Sequence, residues 1–282
     1  MAEKRRSPRG GPVSSEGVVV GVDGTLGVLA AVSWAAAEAD RRRVPLHLVE
    51  VRPATTGITD ARGAPTLRRA RAVASAVAPT IAIHAVSLVG ATGPTLRARA
   101  RDAELLVLGC RRPTDPSSEP DRTTRFLLAR AACPTAFVPA RWAGSWASTP
   151  SARPVVVGLA GTPDDRVVHD LAARTARHLG VDLISVRPRS RRPDGQDGAP
   201  AGAAVAALLD VGRRAQLIVV AGPTPLDHNL RDGRLVELEE LLRRSPCAVA
   251  LPPGPGAYRS PADQYAGRAA PRPARQPVPT RR

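Results

Sequence analysis

The residues of this 282-residue chain whose types could do chemistry are five histidines, three cysteines and a few acidic pairs. His47, His84, His169, His178 and His228 show neither an H-E-x-x-H nor an H-x3-H spacing, so two imidazoles are not set to share a metal and none is expected. Cys110, Cys133 and Cys247 make an odd count without a C-x-x-C, which argues against a disulfide framework and a zinc ribbon. Cys133 and Cys247 read as small buried thiols. Cys110 stands beside Arg111 and Arg112, a setting that lowers a thiol pKa, although redox sensing is not the favoured reading there. The acidic pairs Asp164-Asp165 and Glu237, Glu239 and Glu240 read as solvated helix starts or faces. A phosphate-binding P-loop needs a lysine after a glycine-rich turn, and Lys4, the single lysine, is far from any such turn. No G-x-G-x-x-G follows a strand pattern, and no G-x-S-x-G nucleophile elbow occurs.

The formal net charge is +16. Residues 1–12 and 253–282 supply half of it, and nearly all of it is arginine. Heavy Arg and Ala use with one lysine fits the codon bias of GC-rich coding and solvated faces better than a nucleic-acid surface. Nucleic acid is therefore not an expected partner. The hydrophobic fraction of 43% can bury a core, but at 2% aromatics that core must be made of Ala, Val and Leu. No run of 18 apolar residues is present and no apolar stretch follows the basic Met1–Arg6 segment. Neither a membrane span nor a secretory signal is expected, and the default is a cytoplasmic protein.

Internal repetition organises the chain. The block from Val18 to Thr25 (VVVGVDGT) returns, 137 residues later, as Val155 to Thr162 (VVVGLAGT). Leu48-Val49-Glu50-Val51-Arg52-Pro53 returns as Leu183 to Pro188, 135 residues later. Ala103 to Leu108 returns as Ala215 to Val220, 112 residues later, and Cys133-Pro134 as Cys247-Ala248, 114 residues later. The same blocks in the same order imply two copies of one unit, the second shorter by about 23 residues between its second strand and the helix at 201–213. The expected divisions are a disordered basic tail at 1–15, a first unit at 16–140, a linker at 141–153, a second unit at 154–252, and a disordered Pro/Arg-rich tail at 253–282. A further low-complexity stretch runs from Arg187 to Pro200, and Trp142 and Trp146 of the linker are candidates to plug the junction between units.

Each unit alternates strand and helix patterns. In the first, 18–22 is a β-branched apolar run bounded by glycine, a buried parallel strand. Residues 27–43 read as a helix with Val28, Val32, Ala35 and Ala39 on one face and Arg41–Arg43 in the last turn, where the helix dipole favours cations. Strands at 46–51, 81–89, 105–108 and 135–138 and helices at 65–78, 94–102 and about 123–131 complete it, with Pro94 near the first helical position. The fold class is α/β, two doubly wound parallel sheets of strand order 3-2-1-4-5. The second copy is truncated, lacking the second helix and the third, edge strand.

These residues resemble the universal stress protein family. The resemblance is carried by Val19-Val20-Gly21-Val22-Asp23-Gly24-Thr25, by Ser33-Trp34-Ala35-Ala36-Ala37-Glu38-Ala39, by Gly90-Ala91-Thr92-Gly93-Pro94 through Ala103 to Gly109, and by Leu127 to Pro134. It covers about 16–139 well and about 153–252 in degenerate form. It implies an aspartate approaching adenosine after the first strand and a glycine pattern, G-x2-G-x9-G-[ST], cradling phosphate and ribose after the fourth. The residues this assigns are Val22, Asp23, Gly24, Thr25, Val51, Gly109, Arg112, Thr123 and Thr124. The match is partial. Arg112 stands at the second glycine position, and the G-[ST] position falls on Asp121-Arg122. Glu119 or Asp121 beside a phosphate would repel it, with Arg111, Arg112 and Arg122 to compensate. The competing reading of Asp23 is a plain cap of the first helix. In the second unit Ala160 stands at the aspartate position, and no nucleotide is expected there. The resemblance implies a non-enzymatic stress-response module with ATP as a weak ligand of the first unit. The alternative is a nucleotide-free interaction scaffold. Partners would be the two units against each other, a second copy in a homodimer and an unidentified protein.

Overall fold

The computed structural model describes residues 16–25, 27–52, 65–110, 122–140, 152–187, 202–223 and 233–254. The two tails, the linker with Trp142 and Trp146, and the stretch after Arg187 lie outside the described residues. Short β-branched runs form the strands because parallel strands covered by helices on both faces must be apolar throughout. β1 (Val18–Val22) is buried along its whole length. In the first unit there follow α1 (Val28–Arg42), β2 (Leu46–Arg52), α2 (Pro65–Val77), β3 (Ile83–Val89), α3 (Thr92–Arg99), β4 (Leu105–Cys110), α4 (Arg122–Arg130) and β5 (Thr135–Pro139). The second unit runs β6 (Val155–Gly158), α5 (Asp165–Leu179), β7 (Leu183–Val186), α6 (Ala203–Gly212), β8 (Leu217–Val219), α7 (Gly233–Arg244) and β9 (Ala248–Leu251).

All nine strands form one sheet of order β3-β2-β1-β4-β5-β9-β8-β6-β7. The fold is the α/β class that the strand–helix alternation predicts, and the first five strands take the order 3-2-1-4-5. Every pairing is parallel except β5 with β9, which run antiparallel through Thr135↔Leu251, Ala136↔Ala250 and Phe137↔Val249. The second unit reaches the order β9-β8-β6-β7 and ends there, with no further edge strand among the described residues. Two apolar layers sandwich the sheet. One, under α1, α2 and α5, contains Val18, Val20, Ala35, Val155, Val157 and Ala172. The other, under α3, α4, α6 and α7, contains Val19, Leu106, Phe137, Ile218, Leu241 and Val249. Each layer runs through both units.

The sequence places element ends within one to three residues, and the departures have local causes. The third strand begins at Ile83 rather than at 81. The third helix starts at Thr92 after an extended Ala91, so Pro94 is its third residue. Its missing N–H still costs nothing, because the first-turn donors have no intrahelical acceptor. The first helix stops at Arg42 because Arg43 turns left-handed at φ 56, and the matching exit of α5 uses Gly180 at φ 65.

The cations at the end of α1 do more than complement a dipole. Glu38 is only 2% exposed. Its carboxylate accepts hydrogen bonds from Arg41 Nη2 at 2.7 Å and Arg42 Nε at 2.8 Å. Burial alone would raise the Glu38 pKa, but the charges and hydrogen bonds of Arg42 and Arg41 outweigh it and hold the carboxyl below its ordinary value. On β2, next to the edge strand β3, His47 is likewise buried and stacks on its register partner His84 with ring centroids 5.0 Å apart. His47 Nε2 lies 3.2 Å from the Glu16 carbonyl, and Nδ1 is buried without a hydrogen-bond partner. Burial first, then the charges of His84 and Arg99, lower the His47 pKa against the opposing carbonyl contact. Between the units, Arg125 of α4 donates to Glu239 of α7 at 2.8 Å.

Three outcomes are expected. Glu38 carries a depressed pKa, so its stabilisation is present above the unfolded carboxylate range and is lost as pH falls through the lower folded value. Glu38→Gln is expected to cost about 1–3 kcal/mol at pH 7 and to flatten the acid limb of a urea-denaturation profile. His47, neutral when folded, supports stability above its ordinary pKa of 6.5 that is lost as pH falls below it. His47→Phe is expected to reduce the stability difference between pH 7.5 and pH 5.5 buffers. Reversing Arg125→Glu or Glu239→Arg singly is expected to cost about 1 kcal/mol, and the double reversal is expected to recover most of it in a double-mutant cycle.

Candidate functional site

Strand order reverses at β1, where the path to β2 and β3 runs one way and β4 and β5 lie on the other side. Such reversals open a crevice outside the carboxyl ends of the strands. β1 ends at buried Val22, and the chain then turns through Asp23, Gly24 and Thr25 before α1. Asp23 and Gly24 are exposed. Asp23 Oδ1 accepts the Thr25 N–H at 3.0 Å and the Thr25 hydroxyl at 2.7 Å. That bond pattern is an Asx turn. Gly24 takes φ +80, which L side chains rarely adopt. The cap position of α1 is Gly27, with no side-chain cap bond. Asp23 therefore does not cap the first helix; it holds the turn that presents its own carboxylate at the crevice.

Register aligns four of the predicted residues. Val22 pairs with Glu50 on one side, and Val20 pairs with Val107 on the other. Carried one or two residues further, the same registers set Asp23 opposite Val51 and Val22 opposite Gly109. Val51 is half-buried against the α3–α4 layer. Gly109 serves packing: a Cβ there would lie 3.3 Å from Val28 Cα and 3.7 Å from Ala31 Cβ. The glycine lets the end of β4 pass under the first turn of α1, so its lack of a side chain does not itself indicate a phosphate. Thr123 and Thr124 lie in the first turn of α4, the former half-buried and the latter buried. Gly93 at the start of α3 meets Phe126, to which a Cβ would come within 2.7 Å, so α3 and α4 abut at their beginnings. Arg112, with Arg111, Glu119 and Asp121, lies outside the described residues.

The second unit builds the same turn with different chemistry. Gly161 at φ +77 matches Gly24, and Thr162 matches Thr25, but Ala160 stands where Asp23 does. The Asp165 carboxylate takes over the turn, accepting the N–H groups of Ala160 and Gly161 at 2.9 Å each. Asp165 is thus not part of a solvated face, and Glu239, which pairs with Arg125, is not either. Sequence reasoning missed both; the signal for Asp165 was an aspartate at the helix start just after a glycine turn.

Cys133 is inert by environment. Burial pushes the Cys133 thiol up to about 12, against a Leu106 backbone hydrogen bond that acts the other way. Cys247 is buried at the equivalent place before β9, and Cys110 is half-buried at the end of β4. Among the described residues no group of three or more His, Cys, Asp or Glu side chains is placed to hold a metal ion. None of the described helices is long and apolar enough to cross a membrane.

Comparison with known proteins fits this architecture. Residues 16–139 match the family model described as the universal stress protein family. Universal stress protein Rv2624c of Mycobacterium tuberculosis is 30% identical over 203 residues, covering 67% of this chain and 72% of that protein. Universal stress protein Mb2028c of Mycobacterium bovis is 29% identical over 192 residues, covering 62% of this chain and 64% of that protein. The fold resembles the crystal structure of a universal stress protein from Archaeoglobus fulgidus, with a TM-score of 0.57 at 11% identity over 83% of this chain and 98% of that one. With the turn, the sheet order and these matches together, the chain belongs to the universal stress protein family.

Proposed function

We propose that this protein is a non-enzymatic regulatory module of the stress response, working in the cytoplasm, whose first unit binds adenine nucleotide weakly and whose second unit is its structural counterpart. The observation that carries this reading is the Asp23 turn. An exposed carboxylate is fixed by its own Thr25 bonds at the carboxyl end of β1, beside β4, where the sheet reverses. A carboxylate there can accept hydrogen bonds from ribose hydroxyls, and the first turn of α4 offers the half-buried Thr123 hydroxyl and backbone N–H groups on the anion side. The second unit supplies the contrast, since Ala160 and the Asp165 bonds remove both the carboxylate and the free donors from its turn.

A second reading, the nucleotide-free interaction scaffold, draws on Gly109. Its packing against α1 accounts for that glycine without any ligand. The two ends of the sheet, β3 and β7, carry the exposed apolar residues Val89 and Ile184 and would offer strand edges to a protein partner or a second copy.

Thermal unfolding with and without Mg-ATP separates the two. A ligand at 100 times its Kd adds about 2.7 kcal/mol, which for a chain of this size is roughly a 5–10 °C rise in Tm. The nucleotide reading expects a concentration-dependent rise that Asp23→Ala abolishes, with no phosphate released on incubation. A flat titration of the wild type gives the scaffold, and sustained phosphate release that Asp23→Ala removes would make the protein an enzyme.

A further inference from the structure

The crevice of the second unit is not closed off where its nucleotide chemistry is missing. At the carboxyl ends of β6 and β8, between α6 and α7, lies a cavity of about 290 Å³. Leu159, Val186, Val205, Leu208, Val220 and Leu241 line it. An apolar cavity of about 150 Å³ stays dry and admits a benzene-sized ring, so this one has room for roughly two fused rings.

Its polar equipment has changed sign and place. Counting by the spacing between Cys133 and Cys247, Thr123 corresponds to Glu237 and Thr124 to Leu238. Both replacements line the cavity, and Glu237 is the charged residue among its described walls. The hydroxyl pair of the first unit has become one carboxylate and one leucine. The turn donors at Ala160 and Gly161, which would otherwise face an anion, are taken by Asp165. Two carboxylates therefore stand near the carboxyl end of β6 with no aspartate at position 160 to hold a ribose. Phosphate is repelled there, and apolar surface is what remains to be covered.

We propose that this crevice is a binding site for a small, uncharged, apolar molecule of fused-ring size. The site does not depend on nucleotide binding in the first unit. The apolar walls supply the binding energy by leaving water, and the two carboxylates exclude anionic competitors.

The test uses the full chain and the uncharged naphthalene fluorophore prodan. Expected is saturable binding of one probe per chain with a blue-shifted emission, unchanged in Asp23→Ala and not displaced by ATP. Ala204→Phe and Ala221→Phe place a ring in the cavity from two different elements. Each, shown folded by circular dichroism and a cooperative melt, is expected to weaken binding by at least about tenfold. The anion 2-naphthalenesulfonate is expected to compete at least about tenfold less well than 2-naphthol. Absence of saturable binding, displacement by ATP, retention of wild-type affinity in a folded filled variant, or equal competition by the sulfonate would each overturn the proposal.

Discussion

Two open sheets, each with an apolar last strand, cannot both leave that strand facing water, and the pairing of β5 with β9 resolves this for the whole chain. Thr135, Ala136 and Phe137 pair antiparallel with Leu251, Ala250 and Val249. Ala136 meets Ala250, which is its own counterpart when the units are aligned on Cys133 and Cys247. The same alignment makes Arg125 and Glu239 counterparts, and these two side chains form the ion pair between α4 and α7. A residue that meets its own equivalent is the signature of a two-fold, isologous interface. Here the interface lies within one chain, and the two equivalents are opposite in charge. In a homodimer of either unit the same site would set Arg against Arg or Glu against Glu.

Joining the sheets this way makes both apolar layers continuous and moves the unpaired edges to β3 and β7, far from the centre. A chain with 2% aromatics needs this continuity. Ala and Val bury little area each, so a large core of small side chains must come from many strands packed without gaps. Among the described residues the second unit ends at β7, an edge position that carries the fewest packing obligations, whereas β6 and β8 sit between neighbours on both sides.

The sequence carried most of this architecture in a local code. The β-branched runs at Val18–Val22 and Val155–Gly158 and the glycine turns that follow are short-range signals, and with the recurrence of such blocks along the chain they locate strands, order and the crevice. What was not legible depends on contacts remote in sequence or on which way a side chain points. The antiparallel joint between β5 and β9 rests on residues more than a hundred positions apart. Arg41–Arg43 read as last-turn cations complementing the helix dipole, yet two of the three also enclose Glu38, whose burial no local pattern shows. Gly109 read as a phosphate-approach residue by resemblance, while its empty Cβ direction faces Val28. Arg112 lies outside the described residues.

The two crevices separate what the fold needs from what a ligand needs. In the first unit a Cβ at Gly21 would meet Leu108 at 3.0 Å and Leu96 at 3.1 Å. In the second, a Cβ at Gly158 would meet Val220 at 3.0 Å and Leu208 at 3.1 Å. The floor of the crevice is thus a glycine against an aliphatic pair at equivalent positions, where an added methyl group would press on the ends of those side chains in either copy. The backbone contacts beneath it also recur: the Glu104 N–H bonds the Gly17 carbonyl at 2.9 Å, and the Gln216 N–H bonds the Pro154 carbonyl at 3.1 Å. Differences concentrate one layer higher, where Asp23 faces Ala160, Thr123 faces Glu237 and Thr124 faces Leu238 in the alignment. Asp23, Ala160 and Glu237 are exposed and Thr123 is half-buried, so these positions can exchange chemistry at little cost to the fold, whereas Thr124 and Leu238 are buried. Two crevices with the same floor and different rims differ in what they can hold, and that is set by shape and charge at the rim.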